Sequence, residues 1–321
     1  MSDVTIVIPN WNGMKWLPGC LTSLRSQSLP VRVIMIDNGS EDGSVEYVRA
    51  HFPEVGIRAF HRNTGFCAAV NEGIRLSRTP YVILLNNDVV CEEHFAEKLL
   101  AFAQAHPDCF SAAAKMLQMD HPDLIDDAGD YYCALGWAFA DGKGKKAETR
   151  TKAKKIFSAC GGAAIYRREV FEKIGLFDER HFAYLEDVDI GYRARLAGYE
   201  NYFAPEALVY HAGSGASGSA YNLFKTTHTS RNSVYLIRKN MPLWQILLNA
   251  PLLLAGFLIK TVFFIRKGMG RQYVAGLWKG AFMKIDRSED GPVKYRKVPI
   301  WNYVKIQLQL WRSLGRRFCQ R

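Results

Sequence analysis

Residues Val4–Asp37 read VTIVIPNWNGMKWLPGCLTSLRSQSLPVRVIMID. Two runs rich in β-branched residues, VTIVIP and VRVIMID, flank a stretch where Leu17, Leu21 and Leu24 recur at helical spacing. The pattern predicts strand, helix, strand, and a crossover of that length joins parallel strands. The first run is almost entirely apolar, as a strand covered on both faces must be. The alternation continues outward. Ser44–His51 reads as a helix and Gly56–His61 as a third strand. Phe66, Val70 and Ile74 mark another helix, and Tyr81–Leu85 (YVILL) a fourth strand. The expected class is α/β, a mostly parallel sheet with helices on both faces.

Ligands of such sheets bind beyond the carboxyl ends of the strands. Here those ends are Asn10–Gly13, Asp37–Gly43, Asn63–Phe66 and Asn86–Asp88, all rich in Asn, Asp or Gly. Turn chemistry alone accounts for any one of them. Four of four point to a crevice that holds something. Asp88, directly after YVILL, suits a divalent cation that takes few protein oxygens, and it equally suits a turn. Leu185–Asp189 (LEDVD) puts three acids at a helix start. Acids there serve as dipole partners, and one facing a crevice can act as a general base. His211 closes the apolar run Ala207–Tyr210; a neutral imidazole can be structural or complete a metal shell.

The chain has 321 residues, 48% hydrophobic and 23% charged, which excludes a disordered or collagenous protein. Its charge is +11 and uneven. Residues 221–321 hold 19 basic and 3 acidic groups, net +16, while residues 1–220 are net −5. This divides the chain into a body, 1–220, and a basic C-terminal region, 221–321. A polyanionic partner is implied. The segment Met241–Ile265 is strongly apolar but interrupted by Gln245, Asn249, Pro251 and Lys260. Trp278, Trp301, Tyr303 and Trp311 follow among basic residues. Together they suit an anionic membrane surface better than a full span, and no nucleic-acid motif is present. Asp141–Lys155, with seven basic groups, reads as a mobile loop, a solvated charge run or a flap near an anionic substrate. The seven cysteines form no C-x-x-C pair, against a disulfide framework. The start Met-Ser-Asp has no leader pattern, so the expected place is the cytoplasmic side of the inner membrane. The first strand ends in PNWNG rather than G-x-G-x-x-G, against a dinucleotide oxidoreductase.

TIVIPNWNG, DNGSEDGS, NTGF, LLNNDV, GGAAIYRREVFEKIGLFDE, FAYLEDVDIGYR and VYH follow one another across Val4–His211. In this order they resemble glycosyltransferase family 2, most closely its bacterial rhamnosyltransferase-like branch. The resemblance implies a GT-A fold and an inverting, metal-dependent transfer of a sugar from a nucleotide-sugar donor. It implies dTDP-L-rhamnose, or a UDP-sugar of galactofuranose, glucose or N-acetylglucosamine. The implied acceptor is a polyprenyl-diphosphate-linked glycan of cell-surface polysaccharide synthesis. By position it implies Pro9, Asn10, Asp37, Asn63, Gly65, Asn87 and Asp88 on the nucleotide and donor. Arg231 would meet the diphosphate. Gly161 and Gly162 would lie on the acceptor side, and Asp88 and His211 would hold Mg²⁺ or Mn²⁺. Asp187 would be the base, with Glu186 beside it. The family's D-x-D begins with Asn86 here, so Asp88 alone supplies a carboxylate.

Overall fold

The structure is a computed structural model that describes residues 3–213, 221–286 and 298–319. The N-terminal elements are β1 (Val4–Asn10), α1 (Leu17–Arg25), β2 (Arg32–Asp37), α2 (Ser44–His51), β3 (Gly56–Ala59), α3 (Phe66–Leu76) and β4 (Tyr81–Leu85). Then come β5 (Val89–Cys91), α4 (Phe95–Ala105), β6 (Cys109–Gln118), β7 (Ile125–Asp127), β8 (Asp130–Cys133) and β9 (Trp137–Ala140). β10 (Lys154–Ile156), β11 (Ala163–Arg167), α5 (Arg168–Ile174), α6 (Glu186–Leu196) and β12 (Glu200–His211) complete the body. Four helices follow: α7 (Leu223–Asn240), α8 (Leu243–Arg266), α9 (Gly270–Phe282) and α10 (Ile300–Cys319).

One sheet runs β10-β12-β6-β11-β4-β1-β2-β3, with β5 on β12 and β7 on β6. β8 and β9 form a separate hairpin. The four strands read outward from Val4–Asp37 are parallel, as expected: β3, β2, β1 and β4 all point one way. Beyond β4 the sheet becomes mixed. β11 is antiparallel to both β4 and β6, and β10 and β5 are antiparallel to β12. β12 is parallel to β6, so parallel and antiparallel pairs mix where short strands interrupt the strand-helix order after α4.

Apolar layers cover both faces. α1, α2 and α4 bury Leu21, Val48 and Phe95 on one side. α3, α5 and α6 bury Val70, Phe171 and Ile190 on the other. Each such side chain stabilises the fold by about 1.5–3 kcal/mol.

The pairing decides where chemistry can gather. β1 and β2 run in register, so Asn10 lies opposite Asp37. β11 enters against the end of β4, Ala163 opposite Leu85, which brings Gly161 and Gly162 to Asn86. β12 ends against β5, His211 opposite Val89. β7 folds back on β6 and carries Asp126 and Asp127 to the same edge.

The basic C-terminal region packs on the body. A third apolar cluster joins Tyr192 of α6 to Leu236, Leu253 and Leu310 of α7, α8 and α10. At its margin the Lys239 ammonium donates to Asp178 at 2.7 Å and to Asp189 at 2.8 Å, all buried. Arg193 adds a bond to Asp189 at 3.0 Å. Removing one partner of a buried ionic group leaves an uncompensated charge. Lys239→Met is expected to destabilise the protein by roughly 3–5 kcal/mol in a denaturant titration. An unchanged midpoint would show the network to be neutral. The boundary at residue 220 and most of the Gly213–Ser219 stretch fall outside the described residues.

Two expectations are corrected. Asp141–Lys155 is held rather than free: Lys143 pairs with Asp126 at 2.7 Å, and Arg150 and Lys154 both pair with Asp141. Lys154–Ile156 also joins the sheet as β10. Lys143 and Lys155 find partners on other segments, and Arg150 and Lys154 pair with an acid at the start of the run, which a charge run by itself does not reveal. The second concerns the interruptions of the apolar run. α8 continues through Pro251, and Gln245 and Asn249 lie on its buried face with Leu253 and Gly256. Leu247, Leu254, Leu258, Ile259 and Val262 face outward. An ordinary surface helix of a globular protein has the opposite arrangement. Trp278, Trp301 and Trp311 are exposed as well.

Candidate active site

Asn10 is a hub among the residues expected on the nucleotide. Its amide nitrogen donates to Asp37 Oδ1 at 2.9 Å and to Ser44 Oγ at 3.0 Å. Its carbonyl oxygen accepts from Asn87 Nδ2 at 2.8 Å. Three strand ends are thus tied by two side-chain amides and a carboxylate, with Pro9 immediately before. Asp37 is buried, and its Oδ2 accepts from the backbone amides of Gly39 at 3.1 Å and Ser40 at 3.0 Å. It shapes the loop after β2, where the family resemblance expected a contact to the base. Asn63 accepts from Gly65 N at 2.9 Å and closes the next loop. Gly65 has φ of +91°, and a Cβ there would lie 2.7 Å from the Phe182 backbone oxygen. Only glycine fits that approach. Asn38, which the sequence reading passed over, joins the two loops by bonding Gly65 O at 3.0 Å and Thr64 N at 3.0 Å.

The residues expected to hold a metal form a carboxylate–imidazole–carboxylate chain with Asp126. His211 Nε2 lies 3.3 Å from Asp88 Oδ1, and Nδ1 lies 2.7 Å from Asp126 Oδ2. Burial opposes the imidazolium, but the hydrogen bonds and charges of Asp126 and Asp88 prevail and raise its pKa to about 9. A positive charge is therefore favoured between Asp88 and His211 even when a proton carries it. A carboxylate, an imidazole and a carboxylate behind the imidazole form a donor set that fits a hard divalent cation. Asp126 was missed in the sequence, where IDDAGD offered only a dense group of acids without periodicity.

The residue expected to be the base lies at the start of α6. Asp187 is half-buried, and its Oδ1 accepts from Gly161 N at 3.1 Å. A Cβ on residue 161 would lie 3.1 Å from that oxygen and 3.0 Å from the Phe66 ring. Burial first, and then the charge of Glu186, hold the Asp187 carboxyl well above the usual carboxylate range. Glu186 is buried and its Oε2 has no hydrogen-bond partner among the described residues. Burial raises its pKa to about 7, with the charge of Asp130 adding to it. Of the two acids Asp187 is the more accessible. Asp127, Asp130 and the Cys160 thiol lie alongside, with ligand atoms within 4.8 Å of one another. The effect is a carboxyl-dense crevice in which a proton-accepting group is kept basic.

The turn before α6 is unusual. Phe182, Tyr184 and Leu185 have φ of +61°, +72° and +67°. Non-glycine residues hold such angles only when their surroundings impose them. α7 does so. Asn232 Nδ2 donates to the carbonyls of His181 at 2.9 Å, Ala183 at 2.9 Å and Tyr184 at 2.7 Å. Arg231, expected at the diphosphate, donates through Nη2 to Arg180 O at 3.0 Å and His181 O at 2.8 Å. Both are positioning residues. Asn232→Ala is expected to lower kcat by about 10-fold or more through misplacement of Asp187, with donor KM little changed. A donor KM rise with unchanged kcat would place the turn on the binding side.

The family profile described as Glycosyl transferase family 2 matches residues 5–175, just over half of the chain. An N-acetylglucosaminyl-diphospho-decaprenol L-rhamnosyltransferase of Mycobacterium tuberculosis is 24% identical over 241 residues, covering 67% of this chain and 78% of that protein. The fold matches GalNAc-T7, solved with UDP, GalNAc and Mn²⁺, at a TM-score of 0.59 and 17% identity, covering 73% of this chain and 47% of that longer one. It also matches a mannosyltransferase of Pyrobaculum calidifontis, solved with GDP-Man and Mn²⁺, at a TM-score of 0.55 and 15% identity, covering 87% of each chain. The sheet that gathers the Asn10, Asp88 and Asp187 segments at one edge is a GT-A fold, and the chain belongs to glycosyltransferase family 2.

Proposed function

We propose that the protein transfers L-rhamnose from dTDP-L-rhamnose, with inversion, to a polyprenyl-diphosphate-linked glycan in bacterial surface-polysaccharide synthesis. The observation that carries the transfer chemistry is the meeting of a basic carboxylate, Asp187, with the Asp88–His211–Asp126 chain at one sheet edge. The likeness to the decaprenol rhamnosyltransferase supports the donor and the lipid-linked acceptor.

Asp187 takes the proton of the acceptor hydroxyl as its oxygen attacks the anomeric carbon. The C–O bond to the nucleoside diphosphate breaks on the opposite face. One displacement inverts the configuration, and no covalent sugar on the protein is needed. Asp88 and His211 would hold Mg²⁺ or Mn²⁺, with Asp126 fixing the imidazole. A bound cation there supplies charge stabilisation to the departing diphosphate. The Asn10, Asp37 and Asn63 loops form the nucleotide side, and Gly161 and Gly162 leave room for donor sugar and acceptor.

The outward apolar face of α8 and the exposed tryptophans of α9 and α10 support peripheral association with the anionic inner-membrane leaflet. A lipid-linked acceptor is presented at that surface. The test is nucleoside diphosphate release from a panel of dTDP-, UDP- and GDP-sugars, with and without divalent metal. Metal-dependent release from dTDP-L-rhamnose alone is the expected result. Release from a UDP-sugar instead would move the donor to galactofuranose, glucose or N-acetylglucosamine.

A further inference from the structure

A second cationic site lies away from the residues assigned above. Asp141, Arg150, Thr151, Lys152, Lys154 and Arg316 line a cavity of about 520 Å³ between the segment before β10 and the end of α10. Four cations share one acid. Asp141 accepts from Arg150 Nε at 2.7 Å and Nη2 at 2.9 Å, and from Lys154. Among the described residues no carboxylate pairs with Lys152 or Arg316. Arg316 is held in place instead: its guanidinium stacks 4.6 Å from the Tyr131 ring centroid and donates to the Tyr131 hydroxyl. Burial, and then repulsion by Arg150 and Arg316, oppose the Lys154 charge that Asp141 supports. The cavity thus carries a surplus of about three positive charges.

The cavity is connected to the apolar helix. The β8–β9 hairpin extends from Tyr131 to Trp137, and Arg317 lies over Phe139 at 5.5 Å. Lys260 of α8 lies over Trp137 at 5.5 Å, and Trp137 Nε1 donates to Gly256 O of α8 at 3.2 Å. A line of cations over aromatic rings therefore runs from the cavity to the inner side of the helix, at Gly256, whose opposite side carries the exposed Leu254, Leu258 and Val262. Cation beside apolar surface is the pattern that matches a lipid headgroup beside its chains.

We propose that the Arg150–Lys152–Lys154–Arg316 cavity binds the phosphate of an anionic phospholipid headgroup while α8 contacts the acyl region. This site rests on the membrane association proposed above and gives it a defined point of recognition. Arg316 and Lys152 supply the charges that no carboxylate among the described residues pairs, and Thr151 a hydroxyl.

The test uses the full chain in flotation with phosphatidylcholine vesicles, with and without phosphatidylglycerol. The wild type is expected to prefer phosphatidylglycerol. The double variant Lys152→Gln/Arg316→Gln is expected to lose about tenfold of that preference while keeping its binding to phosphatidylcholine. Donor turnover without lipid should be unchanged, since neither residue belongs to the active site. Full preference retained in the double variant overturns the site but leaves membrane association standing. Loss of binding to both vesicle types by the double variant also overturns it, because the cavity would then not be specific for the headgroup. Equal competition by inorganic phosphate or single-stranded DNA would make the cavity a general anion site and overturn the lipid assignment. Wild-type binding to neither vesicle would remove the membrane association itself and the site with it.

Discussion

Asp187→Asn is expected to lower kcat by roughly 10²–10⁴-fold and to leave donor affinity within a few-fold of wild type. The amide keeps the size and the acceptor oxygen that Gly161 N uses at 3.1 Å, so the crevice keeps its shape. It cannot take a proton. The pH profile gives an independent readout. Asp187 works ionised, and burial with Glu186 beside it raises its pKa well above the ordinary carboxylate value. Activity should therefore rise with pH along an acid limb displaced upward from the usual carboxylate range, and fall as the group is protonated. The limb should vanish in Asp187→Asn. Turnover like wild type in that variant would remove Asp187 from the reaction. Loss of turnover together with donor binding would assign it to the donor site.

The second large effect concerns the cation. Asp88→Ala should lower transfer by about 10²–10³-fold, and added Mg²⁺ or Mn²⁺ should not restore it. Asp126→Asn should behave differently. Asp126 lies behind His211, 2.7 Å from Nδ1, where it would orient the proposed ligand without being one. Such residues change metal affinity by about 10–100-fold. The metal concentration for half-maximal activity should rise by that factor, with kcat near wild type at saturation. Mn²⁺ titration followed by the electron paramagnetic resonance of the free ion would report the same shift. Identical behaviour of the two variants would make Asp126 a ligand. No effect of EDTA on the wild type would remove the cation from the mechanism.

The four-stranded parallel part of the sheet was legible because strand and helix alternate there, and each element announces itself by its own period. α2 at Ser44–His51 and the start of α6 at Glu186 lie where the spacing placed them. Asn10, Asp88, Asp187 and His211 were also visible, as polar residues at the ends of apolar runs. The rest depended on long-range pairing. Asp126 and Asp127 reach the crevice on a three-residue strand whose position is set by β6. Nothing in IDDAGD states that. Arg231 was placed at the diphosphate by resemblance alone, and the carbonyls it bonds belong to a turn some fifty residues away. Gln245 and Asn249 were read as interruptions of an apolar run. Their spacing of four, continued at Leu253, was the available sign that they share a face.

That polar face sets the topology of α8. Gln245 meets the Tyr192 hydroxyl, and Asn249 exchanges two bonds of 2.8 Å with Gln307 of α10. The helix is 24 residues long, sufficient to cross a hydrocarbon layer. To cross alone it would have to give up these partners. Each primary amide would then enter a solvent without donors or acceptors, at several kcal/mol apiece. Trp137 and the backbone oxygen of Gly256 would part as well. Crossing as a lone span is opposed by the same amides that fasten α8 to the rest of the enzyme.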